Sequence, residues 1–329
     1  MINYNFTQKL LHAIFLGNKF IKKNSFEIEK ILFAKKLNKN IINNNHVFIS
    51  GLARSGTTSL LNYIYKSQDF ASLTYRDMPF VMMPNFFSKL SKKNYIVEKK
   101  ERYHRDKIFI DINSPEAFDE VFFSTFENKN IEEELLIFVC LILLKNKKLR
   151  YLSKNNNNYK RVDLIKKLFP QSNFFIIFRH PLQQSFSLFN QHINFSKLQK
   201  KNIFINEYMN YLGHNEFGIS HKSWFEPVKY NDPLELNYWI EQWYLFYKNI
   251  YNLYCVKKNF NFFCYEKIKN ENYISKFSEL LEIPNNSINE LKLVEHKVPL
   301  SFDKIILEQA NEIYFKLEKS DLGNSNILN

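Results

Sequence analysis

The chain has 329 residues, enough for one large domain or two small ones, and 45% of them are hydrophobic, which suffices for a substantial core. With 46 basic and 33 acidic residues the net charge is +13, which favours an anionic partner: a phosphorylated nucleotide, an acidic glycan, an anionic membrane face or nucleic acid. Nucleic acid is disfavoured by the lack of any helix-turn-helix, zinc-finger or RNP-type signature. An odd set of three cysteines in apolar surroundings (Cys140, Cys255, Cys264) argues for buried, inert thiols in a reducing compartment rather than disulfides.

The 33 Phe and 19 Tyr, beside many Lys, Asn and Ile, read first as the codon bias of an AT-rich genome. Residues 6–37 predict two short amphipathic helices, with Leu10, Leu11, Ile14 and Phe15 on one stripe. They form an N-terminal extension over 1–45 that packs on the main domain or, on a sharper reading, touches a membrane face. No cleavable leader is evident, and the longest apolar run, 135–144, is too short for a bilayer span and reads as a buried helix. The expected location is cytoplasmic, with the inner membrane face as the alternative.

A polar linker over 38–45 leads into a strand at Val47, Phe48 and Ile49, followed by the loop GLARSGTTS (51–59) and a helical pattern. A short extended piece over 71–75 comes next, then a polar, basic stretch over 89–105 and a short strand over 108–112. Ser114, Pro115 and Glu116 carry a helix-start pattern: cap residue, proline, acid. Helices are expected over 132–145 and 159–169, a strand over 172–178, and a long helix from Pro181. Residues 200–231 are the least regular and form a candidate acceptor-binding insert with His214, His221 and Trp224. A long helix (233–256), a strand (259–265) and helices over 273–281 and 304–317 finish the chain. Strands separated by helices predict an α/β sandwich with a parallel sheet.

The loop 51–59 joins a strand to a helix start, the layout of a phosphate cradle. Gly51 and Gly56 let the backbone approach an anion, and Thr57, Thr58 and Ser59 add hydroxyl donors. It departs from the G-x-x-x-x-G-K-[ST] nucleotide loop, because Thr57 stands where the lysine belongs and the cation is Arg54, inside the loop. A second apolar strand ends in Arg179, with Pro181 and Ser187 following. With a helix beginning near Pro181, Ser187 lies within two turns and can join Arg179 on a second anion. Two anion sites suit a nucleotide with phosphates at both ends of its ribose.

These paired motifs resemble those of sulfotransferases that use 3′-phosphoadenosine 5′-phosphosulfate (PAPS). The resemblance covers residues 47–268. It implies a P-loop-type three-layer sandwich with a central, mostly parallel sheet, and PAPS as co-substrate without a metal. It also implies that Arg54, Ser55, Gly56, Thr57, Thr58 and Ser59 cradle the 5′-phosphosulfate, while Arg179 and Ser187 hold the 3′-phosphate. Lys154 falls where the related protein-tyrosine sulfotransferases carry a catalytic lysine. Tyr265 and Glu266 resemble the family's late Y-E-x-L strand end. Where those relatives carry a glutamate base this chain has Tyr75, and the nearest acid is Asp77. Asp77 is therefore the first candidate base, with His104, Asp111 and Glu116 as rivals. The acceptor is expected to be a hydroxyl on a glycan or glycolipid, which the basic charge mildly favours, with a protein tyrosine or a small phenol left open. The rival readings are a P-loop kinase or nucleotide hydrolase and an inactive nucleotide-binding homologue.

Overall fold

A computed structural model of the protein describes residues 4–90, 99–102, 108–126, 131–285, 291, 293–298 and 301–323. The strands in chain order are β1 (Val47–Ser50), β2 (Phe70–Ala71), β3 (Lys100–Glu101), β4 (Phe109–Ile110), β5 (Arg150–Lys154), β6 (Asn173–Phe178) and β7 (Asn261–Cys264). Five of them form a parallel sheet in the order β2-β5-β1-β6-β7, while β3 and β4 make a separate antiparallel pair. The helices are α1 (Phe6–Gly17), α2 (Lys19–Phe33), α3 (Thr57–Tyr65), α4 (Pro84–Leu90), α5 (Asp119–Thr125) and α6 (Glu132–Asn146). They continue with α7 (Val162–Leu168), α8 (Pro181–Lys201), α9 (Ile203–Tyr211), α10 (Leu236–Lys257), α11 (Glu271–Leu280) and α12 (Lys304–Lys319).

Both faces of the sheet are covered, so its strands read as unbroken apolar runs rather than alternating ones. Alternation decides which layer each side chain joins. Val47, Ile49, Phe175 and Ile177 point into a core shared with α3 and α11. Phe48, Phe174, Ile176 and Phe178 point the other way, into the larger core of α6, α8, α10 and α12. The result is the three-layer α/β sandwich. Because β1 is central, the chain leaves it for β2 and β5 on one side and for β6 and β7 on the other. The carboxyl end of β1 is therefore a topological switch point, where open α/β sheets bind ligands.

Most predicted elements lie within a few residues of those seen, but two expectations fail. Ser114, Pro115 and Glu116 start no helix; α5 begins at Asp119. Long-range backbone bonds prevail over the local pattern: Pro115 bridges Thr74, and the Glu116 N–H donates to the Leu73 carbonyl at 3.2 Å. The thiols also differ, since Cys140 and Cys264 are buried but Cys255 is exposed.

The linker before β1 is pinned by His46, which is fully buried. Its Nε2 bonds the Ile41 carbonyl at 2.9 Å, and its Nδ1 accepts from the Tyr151 N–H at 2.9 Å. A second proton would face that N–H. Burial foremost holds His46 down, to about 4. The unfolded chain takes up this proton near 6.5 and the folded protein does not, so stability is full above pH 6.5 and falls as pH drops towards 4. The expected loss from His46 alone is about 3 kcal/mol. His192, also lowered to about 4 by burial, adds to it; Asp119, raised to about 6 by burial, opposes it. Denaturant unfolding between pH 6.5 and 4 checks this: His46→Gln should flatten the slope.

In the N-terminal pair, α1 packs on α9, and α2 on α4, α5 and α6. Its outer face leaves Phe6, Phe20, Ile31 and Leu32 exposed. Among the described residues no helix is long and apolar enough to cross a membrane.

Candidate active site

The parallel sheet delivers its chemistry to one edge. Lys154 is the last residue of β5, Arg179 follows β6, Tyr265 follows β7, and the glycine loop follows β1. Within the loop, Gly51 and Gly56 have φ of 144° and 100°. A Cβ on Gly51 would lie 2.5 Å from the Ile177 carbonyl, and one on Gly56 2.3 Å from the Tyr265 ring. Tyr265 therefore packs flush against the loop, and only glycine admits it. Gly56 caps α3 without a side-chain bond, so first-turn N–H groups stay available to a ligand. Arg54 adopts a left-handed φ of 67°, and its Nε donates to Ser187 Oγ at 3.0 Å.

Gln184, which sequence reasoning passed over, fixes this loop. It is fully buried on α8, and its Nε2 donates to the Leu52 and Ala53 carbonyls at 3.2 and 3.0 Å. Its Oε1 accepts from Trp243 Nε1 at 3.0 Å. Those carbonyls are thereby held towards α8.

Arg179 is buried; its Nη2 donates to the Val294 carbonyl at 2.9 Å and its Nε lies 3.5 Å from Glu266 Oε1. The irregular segment carrying Val294 and His296 is strapped to α8 by two bonds between Gln183 and the His296 backbone, at 3.0 and 2.7 Å. Burial first, then the positive charges of Arg179 and Arg54, lower the His296 pKa. His296 is a second residue that the sequence did not flag.

On the other side of β1, Lys154 is buried with its Nζ 3.3 Å from Glu116 Oε1. Glu116 also takes Arg102 Nη1 at 3.1 Å and the Tyr75 hydroxyl at 3.2 Å on Oε2, and the Ala117 N–H at 2.9 Å on Oε1. Arg102 reaches Thr58 Oγ1 at 3.3 Å, linking this cluster to the start of α3. Burial, reinforced by Glu116, raises the Tyr75 phenol well above its ordinary range, so it stays a donor. Nearby, His214 Nδ1 lies 3.6 Å from Glu216 Oε1. Burial, the largest influence, pulls the His214 pKa down, but the charge and hydrogen bond of Glu216, with the Glu116 charge, together bring the net direction up.

Asp77, the first candidate base, sits elsewhere. It is buried, its Oδ2 accepts from the Thr74 N–H and hydroxyl at 2.8 and 3.1 Å, and its Oδ1 pairs with Lys145. It caps the turn at Tyr75–Asp77 and does not line the cavity. Asp111 accepts from the Asn113 N–H and Ser114 hydroxyl, also off the cavity. His104 lies outside the described residues. His221 bonds Tyr238 and Trp224 packs on Trp239, so neither reaches the site.

A cavity of about 460 Å³ joins the remaining groups. Arg54, Gly56, Thr57, Thr58, Ser59, Arg179, Ser187 and Tyr265 line it with Lys154, Glu116 and His214. Ser55 lies beneath the loop, fully buried and off the cavity wall. A lysine-free glycine loop and two further strand-end cations, Lys154 and Arg179, thus surround one cavity of an α/β fold. A family model described as the sulfotransferase family matches residues 46–211, and the chain belongs to that family. No curated protein sequence matches it. Among solved structures it is similar to sulfotransferase STF1 from Mycobacterium tuberculosis H37Rv, at 10% identity over 95% of this chain and 87% of that one, with a TM-score of 0.50. It is also similar to sulfotransferase STF9 from Mycobacterium avium, at 10% identity over 88% and 76%, with a TM-score of 0.46. At such identity the likeness to STF1 is one of fold.

Proposed function

We propose that the protein moves a sulfuryl group from PAPS to the hydroxyl of an acceptor. The observation that carries this is the convergence of Arg54, Lys154 and Arg179 on one cavity, around a loop with no lysine. The residues suit a ligand with anions at both ends. Gly56 and the open first turn of α3 offer amides to one end, and Arg179 with Ser187 offers an arginine fork and a hydroxyl to the other. The nucleotide supplies the sulfuryl group; the chain supplies position and charge. The acceptor oxygen bonds to sulfur as the bond from sulfur to the bridging oxygen breaks. Charge growing on that bridging oxygen meets Lys154 and Arg54. The acceptor proton goes to Glu116, which replaces Asp77 as candidate base because it lines the cavity beside Lys154. Lys154 turning from Glu116 to the bridging oxygen frees Glu116 Oε1 to take that proton.

Thermal unfolding with 3′,5′-adenosine bisphosphate, ATP–Mg²⁺ or 5′-AMP tests the reading. At about 100 times its dissociation constant the bisphosphate should add about 2.7 kcal/mol, and Arg179→Ala should abolish the gain. Stabilisation by ATP–Mg²⁺ with none by the bisphosphate would return the protein to the kinase reading. Bisphosphate binding without turnover on any hydroxyl acceptor would favour the inactive homologue.

The outer face of the N-terminal pair favours a place on an anionic membrane surface. Phe6, Phe20 and Ile31 are exposed beside Lys19, Lys23, Lys35 and Lys36. Sedimentation with phosphatidylserine vesicles checks this: binding should fall with salt and with Phe20→Asp, and equal binding to neutral vesicles would refute it.

A further inference from the structure

The cavity extends past the anion-binding residues into a lobe with carbon walls. At 1.5 Å per residue, Phe195 on α8 stands about 12 Å beyond Ser187 along the helix axis. There α9 and the turn after it contribute Phe204, Ile205, Met209 and Leu212, at spacings that put them on one helical face. Ile108, Ile110 and Phe118 also line the cavity. Tyr4 completes the lining, its ring 5.7 Å from that of Phe204 and 5.8 Å from that of Tyr208. Lys154, Glu116, His214 and Glu216 also line the cavity, with Lys100, Glu101 and Arg102 on and after β3. These apolar side chains bound open space continuous with Arg54, so they form a binding wall as well as core.

We infer that the acceptor is a hydroxyl carried on an apolar arm, an aryl ring or acyl chain, that fills this lobe and presents its oxygen to Lys154 and Glu116. The inference rests on the sulfotransferase reading and names the acceptor class within it. A sugar carries a hydroxyl on nearly every carbon, and each one buried against these walls would lose its water without a replacement partner. An apolar arm loses nothing of the kind and gains from burial. Size points the same way. The cavity, about 460 Å³, sits at the low end of the ~300–1,000 Å³ usual for ligand clefts and must take the nucleotide as well. The space left beside the nucleotide suits one arm. The glycan expectation drawn from net charge thus gives way to the lipid half of the glycolipid alternative, or to a phenol.

Radiolabelled sulfuryl transfer from PAPS to 2-naphthol, 1-decanol and cellobiose tests this. One of the two apolar alcohols should exceed cellobiose at least 100-fold in kcat/KM; which one does so separates the aryl arm from the chain. Met209→Gln should cut that value about 10-fold through KM while bisphosphate stabilisation stays unchanged. Equal or better transfer to cellobiose overturns the inference. If the bisphosphate fails to stabilise the protein, the donor reading falls by itself. Fluorescence titration with 2-naphthol, and calorimetry with 1-decanol, then judge the lobe alone. Binding weakened by Met209→Gln sustains it, and no binding of either probe overturns it.

Discussion

Replacing Lys154 with alanine is expected to lower kcat by about 10²–10³-fold and to weaken stabilisation by 3′,5′-adenosine bisphosphate only modestly. The bisphosphate lacks only the sulfuryl group and keeps the former bridging oxygen as a 5′-phosphate oxygen, whose charge Arg54 and the open first turn of α3 also meet, so the loss of Lys154 should cost this complex far less than it costs the step in which that charge appears. Removing an interaction made only in the transition state lowers kcat and kcat/KM together. The buried pair with Glu116 complicates the variant less than its burial suggests. Glu116 keeps Arg102, Tyr75 and the Ala117 N–H as partners, so its charge is not stranded. Circular dichroism and unfolding of Lys154→Ala should stay close to the parent. Arg54→Ala makes the contrast: loss of nucleotide stabilisation as well as rate is expected, since Arg54 lies in the cradle and bridges to Ser187. If Lys154→Ala instead lost bisphosphate binding and kept its rate, Lys154 would be a ground-state anchor.

The legible parts of this site are those encoded locally. Val47–Gly56 announces strand, loop and helix start within a dozen residues, and Arg179 with Ser187 spans less than three turns of α8. Lys154 was legible by its motif and reads better in the structure, at the end of a buried strand rather than in a solvated turn. What was not legible depends on distant partners. Gln183 meets the His296 backbone across 113 residues, and Gln184 meets the Ala53 carbonyl across 131. In the sequence both are ordinary polar residues near a helix start. Glu116 was misassigned to a helix because the bonds that keep it extended come from Leu73 and Thr74. Asp77 attracted attention by its offset from the loop, yet its partner is Lys145, from a helix it meets only in the fold. The apolar lobe was hidden because residues 200–231 look irregular until α9 forms and aligns Phe204, Ile205 and Met209.

Glu116→Gln is expected to reduce kcat by about 10²–10⁴-fold, the usual range for loss of a positioned base, with KM for the nucleotide little changed. Asp77→Asn is expected to do the reverse, keeping kcat and losing stability. Asp77 is buried, caps its own turn and pairs with Lys145; removing one charge of a buried pair costs about 3–5 kcal/mol, although the asparagine retains some of the capping bonds. The two substitutions therefore separate a group that touches the reacting atoms from one that holds the backbone on which they stand. His214→Asn is the third arm. His214 lines the same cavity, and burial lowers its pKa but the pairing with Glu216 and the Glu116 charge together raise it, so near neutrality a larger share of it carries a proton than of an ordinary histidine. His214 is therefore the rival base, and its replacement tests which of the two groups takes the proton. A modest loss, carried by KM for the acceptor, is the outcome consistent with Glu116 as base. A collapse of kcat in His214→Asn with Glu116→Gln still active would move the base to His214 and leave Glu116 as the carboxylate that positions Lys154 and Arg102.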